Sequence, residues 1–133
     1  MRLSIPSLYA KPPPAYSGLS KQARLQVDTV NPRCARPSQL APLAEALYHE
    51  GAISLSQRTE LVWIRKAYAN DQSDEPLDLV SMMDRFAESA PAFERYVPGS
   101  RATAYYQAMA RFAHWLDDTA ALHRQAPLLD VSA

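Results

Sequence analysis

Cysteine, glycine and net charge are all scarce in this chain of 133 residues. Cys34 is the only cysteine, which excludes an intrachain disulfide and a metal cage built from thiolates. Only three glycines are present, so long glycine-rich loops that cradle phosphates are excluded and turns should be few. Basic and acidic residues number 14 each. This balance argues against a protein that coats nucleic acid along its whole surface.

Long apolar runs and catalytic motifs are also missing. No window approaches the roughly 18 apolar residues that span a bilayer, and the first residues lack the apolar stretch of a signal peptide. We therefore expect a cytoplasmic protein with no membrane partner. The sequence has no Gly-x-Ser-x-Gly elbow, no His-Glu-x-x-His pair and no phosphate-binding loop. The prediction is accordingly a protein that is not an enzyme and has no cofactor.

Proline and basic residues are concentrated in residues 1–37, which we call the N-terminal arm. Six of the 11 prolines lie there, and six basic residues face only Asp28, so the arm carries a charge of +5 and the rest of the chain −5. Proline fixes φ and removes a backbone donor, which favours an extended or polyproline II segment. The sequence predicts a mostly extended or disordered arm at 1–37, a helical domain at 38–125 and a tail at 126–133.

The domain contains four segments with an apolar stripe at helical spacing, each preceded by a capping residue. Those capping residues are Ser38, Ser54, Asp74 and Ser100, and Ser54 with Gln57 forms a capping box. The predicted helices cover about 39–50 (ended by Gly51), 55–69, a third one stopped by Pro91, and 101–125. Phe93, Tyr96 and Val97 fall in a connector whose apolar side chains need covering. The predicted fold is all-α, a small antiparallel bundle of about four helices with an extended proline-rich arm.

Two tryptophans lie outside the apolar stripes of their helices. Trp63 projects about 140° from the centre of the apolar face of the second helix, beside Lys66. Trp115 and Leu122 lie seven residues apart on the flank of the last helix. Tryptophan is enriched in interface hot spots, so Trp63, Lys66, Trp115 and Leu122 are predicted contacts to a protein partner or a second copy. The alternative is that both tryptophans are part-exposed core residues.

Three further side chains are candidate binding residues. Tyr16 closes a Pro13-Pro14-Ala15-Tyr16 sequence that fits the PPxY pattern of ligands for WW domains. A stiff spacer is the favoured interpretation of this sequence, so the arm is kept as a general ligand without that specific receptor. Arg58 and Arg65 border the apolar face of the second helix and are possible contacts to an anion or an acidic partner. Their alternative is snorkelling or pairing with carboxylates of the same chain such as Asp78 or Asp84.

His49 and His114 have carboxylates at helical spacing, but both face away from the predicted core. His49 follows Glu45 by four residues, and His114 precedes Asp117 and Asp118. Metal ligands in helical bundles point inward, so no metal site is expected. The leading hypothesis is a macromolecule-binding helical module, an adaptor, chaperone-like or regulatory protein of bacterial type. The alternatives are a nucleic-acid binder that uses the basic arm and an enzyme with a cryptic bundle pocket.

Overall fold

The computed structural model describes residues 9–68 and 74–131, and it describes side chains in these ranges except at 65–68 and 123–131. The described residues form five α-helices and two short 3-10 turns, at Tyr16–Gly18 and Pro32–Cys34. The helices are α1 (Lys21–Thr29), α2 (Pro37–His49), α3 (Leu55–Tyr68), α4 (Leu79–Tyr96) and α5 (Ala102–Val131). The predicted all-helical class is confirmed, with five helices instead of about four. Within the described part, no helix is both long and apolar enough to cross a membrane.

The additional helix, α1, lies inside the arm that was predicted to be mostly extended. Ser20 caps it by accepting a hydrogen bond from the Ala23 amide at 3.2 Å. Leu19, Ala23, Val27 and Val30 are buried and follow one another at spacings of four, four and three residues, which is a helical stripe. The prediction gave too much weight to the prolines, none of which lies between positions 14 and 32. The boundary expected at residue 37 therefore does not coincide with an edge of the core.

Two helix starts differ from the predicted ones. α2 begins at Pro37, where the first turn tolerates proline, and Ser38 lies inside the helix instead of capping it. The Asp74 carboxylate accepts hydrogen bonds from the Ser38 amide (2.9 Å) and hydroxyl (2.5 Å). It therefore stabilises the start of α2 and does not cap the third predicted helix. That later helix, α4, is capped by Asp78, which accepts from the Ser81 amide at 3.0 Å.

Two helix ends also lie further along the chain than predicted. Pro91 does not stop α4, which continues to Tyr96. A proline within a helix removes one backbone hydrogen bond, but α4 continues past it for five more residues. α5 extends to Val131 and includes most of the expected tail at 126–133. The connector predicted after Pro91 is thus largely helical.

The helices share one core. α4 and α5 make the most extensive contact and run in opposite directions, since Phe86 meets Tyr106 (ring centroids 5.5 Å apart) and Asp84 meets His114 (3.1 Å). α2 packs against α3, and α1 packs against α2 and α5. The largest fully buried side chains come from all helices except α1: Leu40, Leu43, Leu47, Leu61, Leu79, Met83, Tyr105, Met109, Phe112 and Leu116.

The first described residues are held by the start of α3. The Gln57 side chain, fully buried, accepts from the Lys11 amide at 3.0 Å and donates to the Lys11 carbonyl at 3.3 Å. It also accepts from the Ser54 amide at 2.7 Å, which confirms the predicted capping box. The Lys11 ammonium donates to the Gly51 carbonyl at 2.6 Å, and Gly51, with φ of +71°, ends α2 as predicted. The Gln57 side chain thus binds both the backbone amide and the backbone carbonyl of Lys11.

Candidate functional site

An apolar groove lies between α4 and α5. It forms an open depression of about 280 Å³ lined by Phe86, Ser89, Ala90, Phe93, Ala102 and Tyr106. The Tyr106 ring meets the Phe86 ring edge to face, which fixes both walls. Phe93 is 52% exposed, and Tyr96, three residues further along α4, is 87% exposed. Large aromatic side chains left in water beside an open apolar groove are typical of surfaces that contact other macromolecules.

The groove continues along α4 as a stripe of four residues, which we call the α4 seam: Met82, Phe86, Ser89 and Phe93. A second depression shares Phe86 and Ser89 with the first and is also lined by Met82, Arg85 and Glu88. The seam residues follow one another at spacings of four, three and four, so they lie on one face of the helix. At 1.5 Å per residue the seam is about 16 Å long, or three helical turns.

A half-buried carboxylate lies behind the Tyr106 wall. Oε2 of Glu60 accepts hydrogen bonds from the hydroxyls of Tyr105 (3.1 Å) and Tyr106 (3.3 Å). Burial raises the pKa of Glu60 above its usual value, although the two tyrosine hydroxyls act in the opposite direction. Burial and the neighbouring Glu60 carboxylate also raise the pKa of Tyr105. This carboxylate therefore holds the groove wall in place through Tyr106.

The raised pKa of Glu60 leads to a prediction about how the stability of the chain depends on pH. Its pKa is higher in the folded chain than the value of 4.5 for the unfolded chain. The stability that neutral Glu60 contributes is thus fully present below the unfolded pKa and is lost as pH rises through the folded pKa. We expect the free energy of unfolding of Glu60→Gln, relative to that of the wild type, to be larger at pH 7 than at about pH 4. Urea unfolding of both proteins at these two pH values measures the difference. A difference that is the same at both pH values would contradict the prediction.

The predicted contact residues fall into different environments. Trp63 is 56% exposed and lies three residues after Glu60 on α3, and Leu122 is 67% exposed on α5. Trp115 is half-buried, packs against the core and stacks on Phe112 with ring centroids 5.8 Å apart. That position agrees with the alternative of a part-exposed core residue for Trp115. The side chains of Lys66 and Arg65, also on α3, lie outside the described residues.

Tyr16 and Arg58 bind to groups of their own chain. The Tyr16 hydroxyl donates to the Asp28 carboxylate at 2.9 Å, and burial together with this carboxylate raises the pKa of Tyr16. The Arg58 Nε donates to Glu45 at 2.7 Å, which raises the pKa of Arg58, and the guanidinium lies 5.4 Å from the centre of the Tyr48 ring. Arg58 thus has an intrachain carboxylate partner, as the alternative expected, but this partner is Glu45 on α2 and not Asp78 or Asp84.

Three basic residues of the arm also bind to the rest of the chain. Arg33 pairs with Asp117 at 3.2 Å and with Asp78 at 3.7 Å. Arg36 donates to the Asp74 carbonyl at 3.0 Å, and Lys11 binds Gly51 as described above. These contacts occupy half of the six basic side chains on which the nucleic-acid hypothesis depends.

His49 and His114 are exposed and pair with carboxylates. His49 lies 3.5 Å from Glu45, and His114 lies 3.1 Å from Asp84, which belongs to α4 and was not among its expected neighbours on α5. Among the residues that the structure describes, no group of three or more His, Cys, Asp or Glu side chains could hold a metal ion.

Sequence reasoning missed the groove as a site. It ended the third helix at Pro91 and placed Phe93 in the connector that follows. The available signal was the seam spacing, which runs through Pro91 without a break. Comparisons with protein-family models, curated proteins and solved structures found no match for this chain.

Proposed function

We propose that this chain is a non-enzymatic protein-binding module, an antiparallel helical bundle that docks a helical segment of a protein partner in the groove between α4 and α5. The observation that supports this function best is the apolar depression with Phe93 half-exposed at its mouth. Amphipathic helices bind such grooves by inserting apolar side chains spaced three or four residues apart.

The openness of the groove favours a helix over a small-molecule ligand. Pockets for drug-sized molecules bury most of the ligand surface. The groove here is open to solvent along α4, since Ser89 and Phe93, which line it, are both exposed. It suits one or two apolar anchors, while the seam, three turns long, supports the rest of a bound helix. Adaptor, chaperone-like and regulatory proteins all use contacts of this kind.

The described contacts favour protein over nucleic acid as the partner. Within the chain, a carboxylate pairs with Arg33, and backbone carbonyls accept hydrogen bonds from Lys11 and Arg36. Nucleic-acid binding depends instead on basic groups that reach phosphates. Trp63 and Leu122 remain proposed as additional contacts because both are more than half exposed. Glu60 bonded to two tyrosine hydroxyls is a satisfied structural carboxylate, which does not argue for catalysis.

The proposal is tested with helical peptides selected from a display library against the full chain. We expect the selected peptides to carry apolar anchors at helical spacing and to lose at least about tenfold in affinity for Phe93→Ala, since buried aromatic anchors dominate such interfaces. Leu25→Ala is the matched control, because Leu25 on α1 is 58% exposed, much as Phe93 is. Its affinity should equal that of the wild type in fluorescence-anisotropy titrations.

Two results would overturn the groove assignment. One is that Phe93→Ala and Leu25→Ala bind the peptides equally well. The other is that the affinity depends on Trp63→Ala or Leu122→Ala and not on Phe93→Ala, which would move the binding surface to α3 or to the far part of α5. Thermal unfolding of each variant establishes that the folded chain is being measured.

A further inference from the structure

We propose that the partner seated on the α4 seam is a second copy of this chain, with the two α4 helices crossing in opposite directions about a two-fold axis. This inference rests on the proposed function and names its partner. A two-fold interface uses the same surface on both copies, so the surface must complement itself. The α4 seam has this property in both its side-chain sizes and its charges.

Small and large side chains meet across the seam when two copies associate. The spacing of Met82, Phe86, Ser89 and Phe93 is that of the apolar positions of a coiled coil. In an antiparallel pair, Phe86 of each copy faces Ser89 of the other. Phe93 enters the second depression of the other copy, where Met82, only 9% exposed, lies at the base. Each large ring therefore meets a small or adaptable side chain. The exposed rings of Phe93 and Tyr96 supply apolar area that leaves water on association.

The charges beside the seam also complement themselves. Arg85 and Glu88 line the depression that the seam crosses, and both are exposed. In the antiparallel arrangement, Arg85 of one copy faces Ala92 of the other, which is exposed. Glu88 of that other copy lies one helical turn from this Ala92, within reach of the arginine side chain. Two symmetry-related contacts between arginine and glutamate result. The chain also has a formal net charge of zero, so two copies do not repel each other at long range.

The test uses sedimentation velocity of the full chain over a wide concentration range, up to the millimolar. We expect the wild type to form dimers reversibly. Ser89→Glu should raise the dissociation constant about tenfold or more, because it buries a charge against Phe86 of the second copy and competes for Arg85 four residues earlier on its own helix. Ala92→Glu should lower the constant about threefold by adding two symmetric partners for Arg85, and Ala92→Arg should raise it. Ser89 and Ala92 are exposed in the single chain, so the fold tolerates all three changes.

Each alternative outcome is decisive. A wild type that stays monomeric at every concentration overturns the inference, as does a dimer that Ser89→Glu leaves unchanged. A dimer that is strengthened by Ala92→Arg and weakened by Ala92→Glu contradicts the antiparallel crossing. A monomeric wild type whose peptide binding still depends on Phe93 would overturn only this inference. Peptide binding independent of Phe93 would overturn the proposed function itself.

Discussion

Leu116→Ala is expected to lower the free energy of unfolding by about 2 to 5 kcal/mol. Leu116 is fully buried in the middle of α5, within the core that this helix shares with the others. Truncation to alanine removes apolar contacts and leaves a cavity that close-packed neighbours fill only in part. Urea denaturation monitored by circular dichroism measures the change, through the midpoint and the slope of the transition.

His114→Ala serves as the control on the same helix. His114 lies two residues before Leu116, but it is exposed and its contact with Asp84 is a surface pair. Such pairs contribute about 0 to 1 kcal/mol, so the substitution should cost no more than that. If His114→Ala destabilised the chain more than Leu116→Ala, the assignment of the buried face of α5 would be wrong.

Gln57→Leu is expected to cost about 2 to 4 kcal/mol, although leucine is apolar and similar in size. The change removes the oxygen that accepts from the amides of Ser54 and Lys11, and the amide that donates to the Lys11 carbonyl. A buried donor that loses its acceptor costs about 1 to 3 kcal/mol. Urea unfolding gives the total, and hydrogen exchange should show faster exchange of the Lys11 amide in the variant.

Gln39→Leu is the matched substitution at the start of another helix. Gln39 accepts from the Arg36 amide at 3.1 Å, which is the same type of bond, but in an exposed position. Water can replace this acceptor, so the cost should stay below about 1 kcal/mol. Equal losses for the two variants would show that Gln57 acts only as a helix cap and that its bonds to Lys11 contribute no stability.

The sequence was sufficient for the helical class, because helix periodicity and capping leave local signals. The stripes of α2, α3 and α5 and the box of Ser54 and Gln57 depend only on neighbouring residues. α1 also had a local signal, in the spacing of Leu19, Ala23 and Val27, but composition was given precedence over periodicity. Asp74 was misassigned for a different reason, since its partner Ser38 is 36 residues away and only the tertiary fold brings them together.

The candidate site was harder to predict because it depends on which faces remain uncovered. Periodicity identifies an apolar face but not what packs on it. The sequence therefore could not show whether the side chains of Trp115 and Phe93 are covered by other parts of the chain. In the folded chain Trp115 lies on Phe112, while Phe93 stays half-exposed. Likewise, a basic residue such as Arg58 gives no sign in the sequence of whether its partner is Glu45 or an external anion. The choice is made by tertiary contacts.

The ion pair between Arg33 and Asp117 has a consequence for the order in which the chain folds. It joins residues 84 positions apart, and Arg33 also reaches Asp78 at the start of α4. The α-helical hairpin of α2 and α3 can form from local contacts soon after it is synthesised. The turn at Pro32–Cys34, by contrast, acquires its partner on α5 only after Asp117 has been made. Contacts over such long separations slow folding relative to local ones, so closure of the N-terminal segment onto α5 follows formation of the hairpin of α2 and α3.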